Sequence, residues 1–330
     1  MLTEVTQFLG AVHERCIAIV TDPGLDAAQR ELLRAYLVGA RAAKIGAVAD
    51  PAAVLCLIAR AEHVEDRAEL RLLAAGCTLY YLALRLFDDI ADDELDPPWD
   101  RVPTAILSHA ALTLFTLAFD AIYAGAPTVA HESVRRALRE HSLRASAAQH
   151  RDLTSAVPAG ETAVLAHNAD KSSVFALIVE LGAIYCGCAP ARVDGYRRVG
   201  DAISTMRQAT NDIRGIFSGS CSGDLARRRN TLPIACFRAR ATAEQLDELA
   251  GLHARLPETL QAIRALLRRS PAIQACLAVI ERARQQVHRE LLTLVGPGSP
   301  LDLYRAFVDA TAADFYRAEP VEPPPVFQLV

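Results

Sequence analysis

Between Leu72 and Asp96 the chain reads as one helix that is apolar almost all round and then turns abruptly acidic. The run Leu72-Leu73-Ala74-Ala75-Gly76-Cys77-Thr78-Leu79-Tyr80-Tyr81-Leu82-Ala83-Leu84 has no polar stripe to leave in water, so it must be packed on every side. The rest of the chain supplies partners of the same kind: Ala, Leu and Arg are abundant, and alternating β-branched residues are nearly absent. Helices are expected at about 4–20, 26–45, 51–62, 66–96, 103–123, 129–154, 160–166, 171–188, 190–218, 231–239, 242–253, 256–268, 271–293 and 300–316. Breakers separate them at Asp22-Pro23-Gly24, Pro97-Pro98, Gly125-Ala126-Pro127, Pro158-Ala159-Gly160, Gly219 to Gly223 and Gly296-Pro297-Gly298. Asp50 before Pro51 and Ser270 before Pro271 read as N-caps followed by proline at the first helical position. The expected architecture is a single all-α domain over residues 1–318, followed by a Pro-rich tail over 319–330.

Composition removes several classes of function. The chain has 330 residues, 52% of them hydrophobic, with 17 Gly and 17 Pro, which describes a globular protein. A formal net charge of -4 gives no basic surface for nucleic acid. The eight cysteines are scattered, and Cys186-Gly187-Cys188, the one close pair, has no second pair at zinc-site spacing. Reduced thiols in a cytoplasmic protein are expected. Met1-Leu2-Thr3-Glu4-Val5 does not open a signal peptide. The most apolar windows, 105–119 and 174–189, fall short of the ~20 residues of a membrane span, so no span is expected.

Within 88–96 stand Asp88, Asp89, Asp92, Asp93, Glu94 and Asp96. On a helix Asp88, Asp92 and Asp96 lie one turn apart on one face, with Asp89 and Asp93 beside them. These charges repel one another, and at a helix C-terminus the dipole adds about 0.3–1 kcal/mol against each. A solvated acidic helix end is the ordinary reading of such a run. Its place at the mouth of a buried helix points instead to a charged rim over an apolar cavity. A hard divalent ion, its shell completed by phosphate, would balance the charge.

A second polar cluster interrupts another apolar helix at Gln208-Ala209-Thr210-Asn211-Asp212, with Gln208 and Asp212 on one face and Asn211 next to them. A Gly/Ser segment follows, then Asp224-Leu225-Ala226-Arg227-Arg228-Arg229-Asn230-Thr231-Leu232-Pro233. Alone, the arginine triplet reads as a solvated basic turn; after a flexible loop it would also close over an anion. Lys171-Ser172-Ser173 is expected to open the helix that continues from Val174, where a lysine and two hydroxyls suit a phosphate. His13, His63, His109, His141 and His167 read as isolated structural or surface residues.

From about Leu72 to Pro233 these pieces resemble the trans-prenyltransferase family, the polyprenyl synthetases, within the class I isoprenoid synthases. Phe87-Asp88-Asp89-Ile90-Ala91-Asp92 is similar to the DDxxD motif, Gln149-His150-Arg151-Asp152-Leu153 to QxxDL, and Lys171-Ser172 to KT. Gln208 to Asp212 is similar to the second aspartate motif, and Asp224-Leu225 through Pro233 falls on DLxxGKxTLP. The resemblance implies an isoprenoid-synthase-type helical bundle around a central apolar cavity. It implies Mg²⁺ held by Asp88, Asp89 and Asp92, with another held by Asp212 helped by Asn211 and Gln208. Lys171, Arg229, Arg228 and Gln208 would bind the diphosphate of an allylic prenyl substrate such as farnesyl or geranylgeranyl diphosphate. Tyr80, Tyr81, Ala83, Leu84 and Phe87 would wall the pocket, with Gln149 and Asp152 beside it. A homodimer is implied as well.

The sequence departs from the family mostly on the side of the second substrate, and also in the second metal motif. The N-terminal GGKR segment has only the poor stand-in Gly39-Ala40-Arg41-Ala42-Ala43-Lys44, the histidine eight residues before the first aspartate is Tyr80, and RRG is missing. These are groups that hold isopentenyl diphosphate. The second metal motif reads Asn211-Asp212-Ile213-Arg214-Gly215; its start is similar to that of terpene synthases, but their closing glutamate falls on Gly219. Prenyl transfer to a different acceptor is therefore expected, with cyclisation of a single allylic diphosphate as the alternative. A regulatory subunit of a heteromeric synthase is a third reading, which the intact first motif disfavours.

Overall fold

The computed structural model of the chain describes residues 2–44, 50–154, 160–217, 219, 223–298 and 309. Among them every regular element is helical, as the periodicity requires. The helices are α1 (Leu2–Val20), α2 (Ala27–Lys44), α3 (Pro51–Ala61), α4 (Ala68–Asp92), α5 (Thr104–Gly125), α6 (His131–Leu153), α7 (Glu161–Lys171), α8 (Val174–Tyr185), α9 (Pro190–Phe217), α10 (Gly223–Ala226), α11 (Leu232–Arg238), α12 (Ala243–His253), α13 (Leu260–Arg269) and α14 (Ala272–Val295). The helix expected at 300–316 and the tail lie outside the described residues.

The chain folds as two compact units. The first takes in the described residues of Met1–Leu143, Val174–Gly200 and Glu290–Phe307; the second takes in those of Arg144–Ser173, Asp201–Arg289 and Val308–Val330. The centre of the first unit is the pairing of α4 with α5. It is close because two glycines remove side chains from the contact. A Cβ on Gly76 would lie 2.7 Å from the Ile122 nitrogen, and one on Gly125 would overlap the Leu73 backbone. Tyr80 fills the same interface, its ring 5.2 Å from that of Phe115 and 6.1 Å from that of Phe119. Its hydroxyl shares a 2.8 Å hydrogen bond with Ser142. Helix α3 starts as expected, with the Asp50 carboxylate accepting from the Ala52 N–H at 2.8 Å. Helix α8 is buried nearly along its whole length, including Glu180, which pairs with His141 at 3.0 Å.

Two expectations about helix ends are corrected. Helix α4 stops at Asp92 rather than 96: Asp93 is left-handed (φ 58°), and the N–H groups of Asp93 and Glu94 return to the carbonyls of Ile90 and Asp89. This double closure satisfies the final carbonyls, and aspartate tolerates the left-handed conformation better than most side chains. Asp96 consequently leaves the face shared by Asp88 and Asp92. Lys171 closes α7 rather than opening α8, with Ser172 as the C-cap residue.

The length premise behind the membrane expectation is corrected as well. The window 105–119 belongs to α5, which at 22 residues is long and apolar enough to cross a membrane by length and composition, as is α4. The apolar window of α4 is 67% buried within the chain, that of α5 39%. The seven described cysteines are all free thiols.

Candidate active site

In the first unit the last turns of α4 carry the aspartates. Asp92 is 7% exposed, Asp88 and Asp89 are half-buried, and Arg85 Nε lies 3.5 Å from Asp89 Oδ2. One and two turns earlier the expected wall residues divide. Tyr80 and Ala83 are fully buried, and Tyr80 packs against α5. Tyr81 and Leu84 are partly exposed, with Tyr81 packed on Phe175 at 5.6 Å, and Phe87 is 37% exposed.

In the second unit the ends of α6 and α7, the C-terminal half of α9, α10 and the segment after it enclose a small cleft. It is lined by Asp152, His167, Asn168, Lys171, Gln208, Asp212, Asp224, Arg229, Asn230 and Thr231, and holds about 20 Å³ of space. That is room for a water or an ion, not for a prenyl chain.

Its chemistry comes from how each charge is held. Asp212, 5% exposed, accepts from Leu232 N–H at 2.8 Å, Asn168 Nδ2 at 3.0 Å and Gln208 Nε2 at 2.8 Å. Burial pushes its carboxyl up to about 6, against those hydrogen bonds and with help from the charge on Asp224. Gln208 accepts from the Ser172 hydroxyl at 2.8 Å. Asp152 behaves in the opposite way. Burial raises it, but His167 and Lys171, each 2.8 Å away, outweigh that and hold it at about 2. Of the three arginines only Arg229 turns inward, 8% exposed and 2.7 Å from Asp224. Arg227 and Arg228 are exposed. The glycine of DLxxGKxTLP falls on Arg228, which holds φ 56°, the conformation glycine adopts without steric cost.

Lys171, Gln208, Asp212, Asp152 and Arg229 thus share one cleft. Asn211, exposed, and Gln149, half-buried, both lie outside its lining. His167 and Asn168 were missed by the sequence reading, although they stand four and three residues before Lys171 on α7 and so share its face. His141 and His167, read as isolated, are each paired with a carboxylate. Arg264 of α13 was also missed. It is 6% exposed and donates to the carbonyls of Ile216 and Gly219, fixing the end of α9. Among the described residues no group of three His, Cys, Asp or Glu side chains is arranged to hold a metal by itself.

No protein-family model matches the chain. It is 26% identical over 182 residues to the tryptophan prenyltransferase ComQ of Bacillus spizizenii, a match covering 54% of this chain and 62% of that protein, so just over three-fifths of ComQ is spanned. Solved structures agree over nearly the whole length. Heptaprenyl diphosphate synthase from Staphylococcus aureus superposes with a TM-score of 0.79 at 14% identity, covering 94% of this chain and 98% of that one. Polyprenyl synthase from Caulobacter crescentus CB15, solved with calcium and isoprenyl diphosphate, superposes with a TM-score of 0.79 at 17% identity, covering 95% and 98%. The chain has the all-α fold of the trans-prenyl diphosphate synthases.

Proposed function

We propose that this protein is a Mg²⁺-dependent prenyltransferase. It would ionise an allylic prenyl diphosphate, of the size of farnesyl or geranylgeranyl diphosphate, and transfer the prenyl group to an acceptor other than isopentenyl diphosphate. The observation that carries the reading is the polar cleft of the second unit, where Lys171 and Arg229 meet Gln208 and Asp212. Lys171 and Arg229 bind the diphosphate and stabilise the charge that collects on departing pyrophosphate, with Arg228 adding positive charge at the surface. Asp88, Asp89 and Asp92 would hold Mg²⁺, as would Asp212 with Asn211 next to it in the chain. The donor set fits that ion: Mg²⁺ keeps several waters and takes one or two carboxylates plus substrate oxygens, so it does not need a closed cage of three protein ligands. Bound there, it would act as a Lewis acid toward the leaving group. Tyr81, Leu84 and Phe87 offer apolar surface in the turns before the aspartates, which suits a carbocation that water must not reach.

What is missing supports an acceptor other than isopentenyl diphosphate. The groups expected to hold isopentenyl diphosphate are absent from the sequence, and the curated relative is a tryptophan prenyltransferase. The protein acts as a homodimer in this reading.

Purified protein with Mg²⁺ is to be given geranyl, farnesyl or geranylgeranyl diphosphate, each alone, with isopentenyl diphosphate, and with a tryptophan-containing peptide. Products are identified by chromatography with mass detection. A prenylated peptide supports the proposal. A longer diphosphate formed with isopentenyl diphosphate would replace it with chain elongation, and a hydrocarbon or alcohol formed from the allylic diphosphate alone would replace it with terpene synthesis.

A further inference from the structure

His167 is 5% exposed and bonded through both ring nitrogens. Arg151 Nε lies 3.4 Å from Nδ1. A guanidinium only donates, so Nδ1 accepts and the ring proton sits on Nε2. Nε2 is 2.8 Å from Asp152 Oδ1, to which it donates. The other oxygen of that carboxylate, Oδ2, takes the ammonium of Lys171, also at 2.8 Å. Each oxygen of Asp152 therefore faces a different donor.

The frame behind this pair is fixed as well. Arg151 NH2 donates to Asp170 Oδ2 at 2.9 Å, and Arg144 Nε donates to Asp170 Oδ1 at 3.1 Å. Arg144, Arg151 and Asp152 come from α6, while His167, Asp170 and Lys171 come from α7, so the bonds pass back and forth between two helices. A carboxylate pulled by donors on separate oxygens has a fixed plane. Without His167, Asp152 would be free to turn both oxygens toward Lys171 and draw its ammonium away from a ligand.

We propose that His167, held as its Nε2–H tautomer by Arg151, is a positioning residue for Lys171 that keeps the ammonium available to an anionic diphosphate headgroup. The inference rests on the reading of Lys171 as a diphosphate-binding residue. The full chain, ¹⁵N-labelled at histidine, is examined by NMR at neutral pH, and binding of pyrophosphate with Mg²⁺ is measured by calorimetry for the wild type, His167→Phe, His167→Gln and Arg151→Gln. The wild type is expected to show the Nε2–H tautomer at His167, and Arg151→Gln a mixture. Pyrophosphate affinity is expected to fall about tenfold in His167→Phe, the loss of one charge-assisted contact. It should recover in His167→Gln, whose amide can still donate to Asp152. If His167→Phe does not fold, Arg151→Gln carries the same comparison, with a weaker loss expected. An Nδ1–H wild-type spectrum overturns the inference, as does unchanged affinity in every variant. A wild type that binds no pyrophosphate overturns instead the role given to Lys171, a failure the tautomer spectrum keeps separate.

Discussion

Arg228 occupies a left-handed backbone position that favours glycine, and its side chain reaches the surface rather than the cleft. Holding a non-glycine residue there costs about 1 kcal/mol. Arg228→Gly is accordingly expected to raise stability by about that amount in denaturant titration while weakening diphosphate binding, because one positive charge is lost. Asp152 gives a pH signature. Its folded value of about 2 lies below its ordinary 3.8, so its contribution is complete above pH 4 and is lost as pH falls through about 2. That contribution is about 2 kcal/mol by linkage. Acid unfolding followed by circular dichroism should show Asp152→Asn less stable than the wild type above pH 4, with the two curves converging between pH 4 and 2. For the aspartates of α4, the double substitution Asp88→Ala, Asp89→Ala should abolish turnover of an allylic diphosphate. Melting temperature should move by only a few degrees, since relief of repulsion at a helix end offsets the loss of the Arg85 ion pair. Retained turnover would reject the site.

At the scale of elements, the α4–α5 pairing shows why glycine sits in two otherwise ordinary helical runs. Gly125 closes against the backbone at Leu73, where nothing can move aside. Gly125→Ala should therefore cost about 1–3 kcal/mol by overpacking, despite the higher helix propensity of alanine. Thermal unfolding would detect it. The same pairing accounts for Tyr80, whose ring and hydroxyl are both engaged within the first unit. A sequence reading sees an apolar residue near a motif. It has no means of telling Tyr80, turned into α5, from Tyr81, turned toward Phe175, because both lie on a helix that is apolar all round.

For the whole molecule, α5 is the unfinished surface. Its apolar window is less than half buried within the chain, and Ile106 and Leu112 are 49% and 53% exposed. The homodimer proposed above would cover this face with a second copy. Replacing both residues by glutamate should leave a folded monomer in sedimentation, whereas an unchanged mass would remove α5 from the contact. The sequence by itself determined the helical class, because periodicity and propensity are local properties, and Asp22-Pro23-Gly24, Pro97-Pro98 and Gly125-Ala126-Pro127 each fall where one helix gives way to the next. It also singled out the acidic run of 88–96 by composition alone, whereas Lys171-Ser172 and the arginine triplet gain weight only through the resemblance to the polyprenyl synthetases. Only the tertiary structure decided where those groups point. It ended α4 at Asp92, buried Arg229 and left its two neighbours outside, and brought His167 from one helix onto Asp152 of another. Those outcomes depend on burial and on partners distant in the chain, and neither is written in the spacing of residues along it.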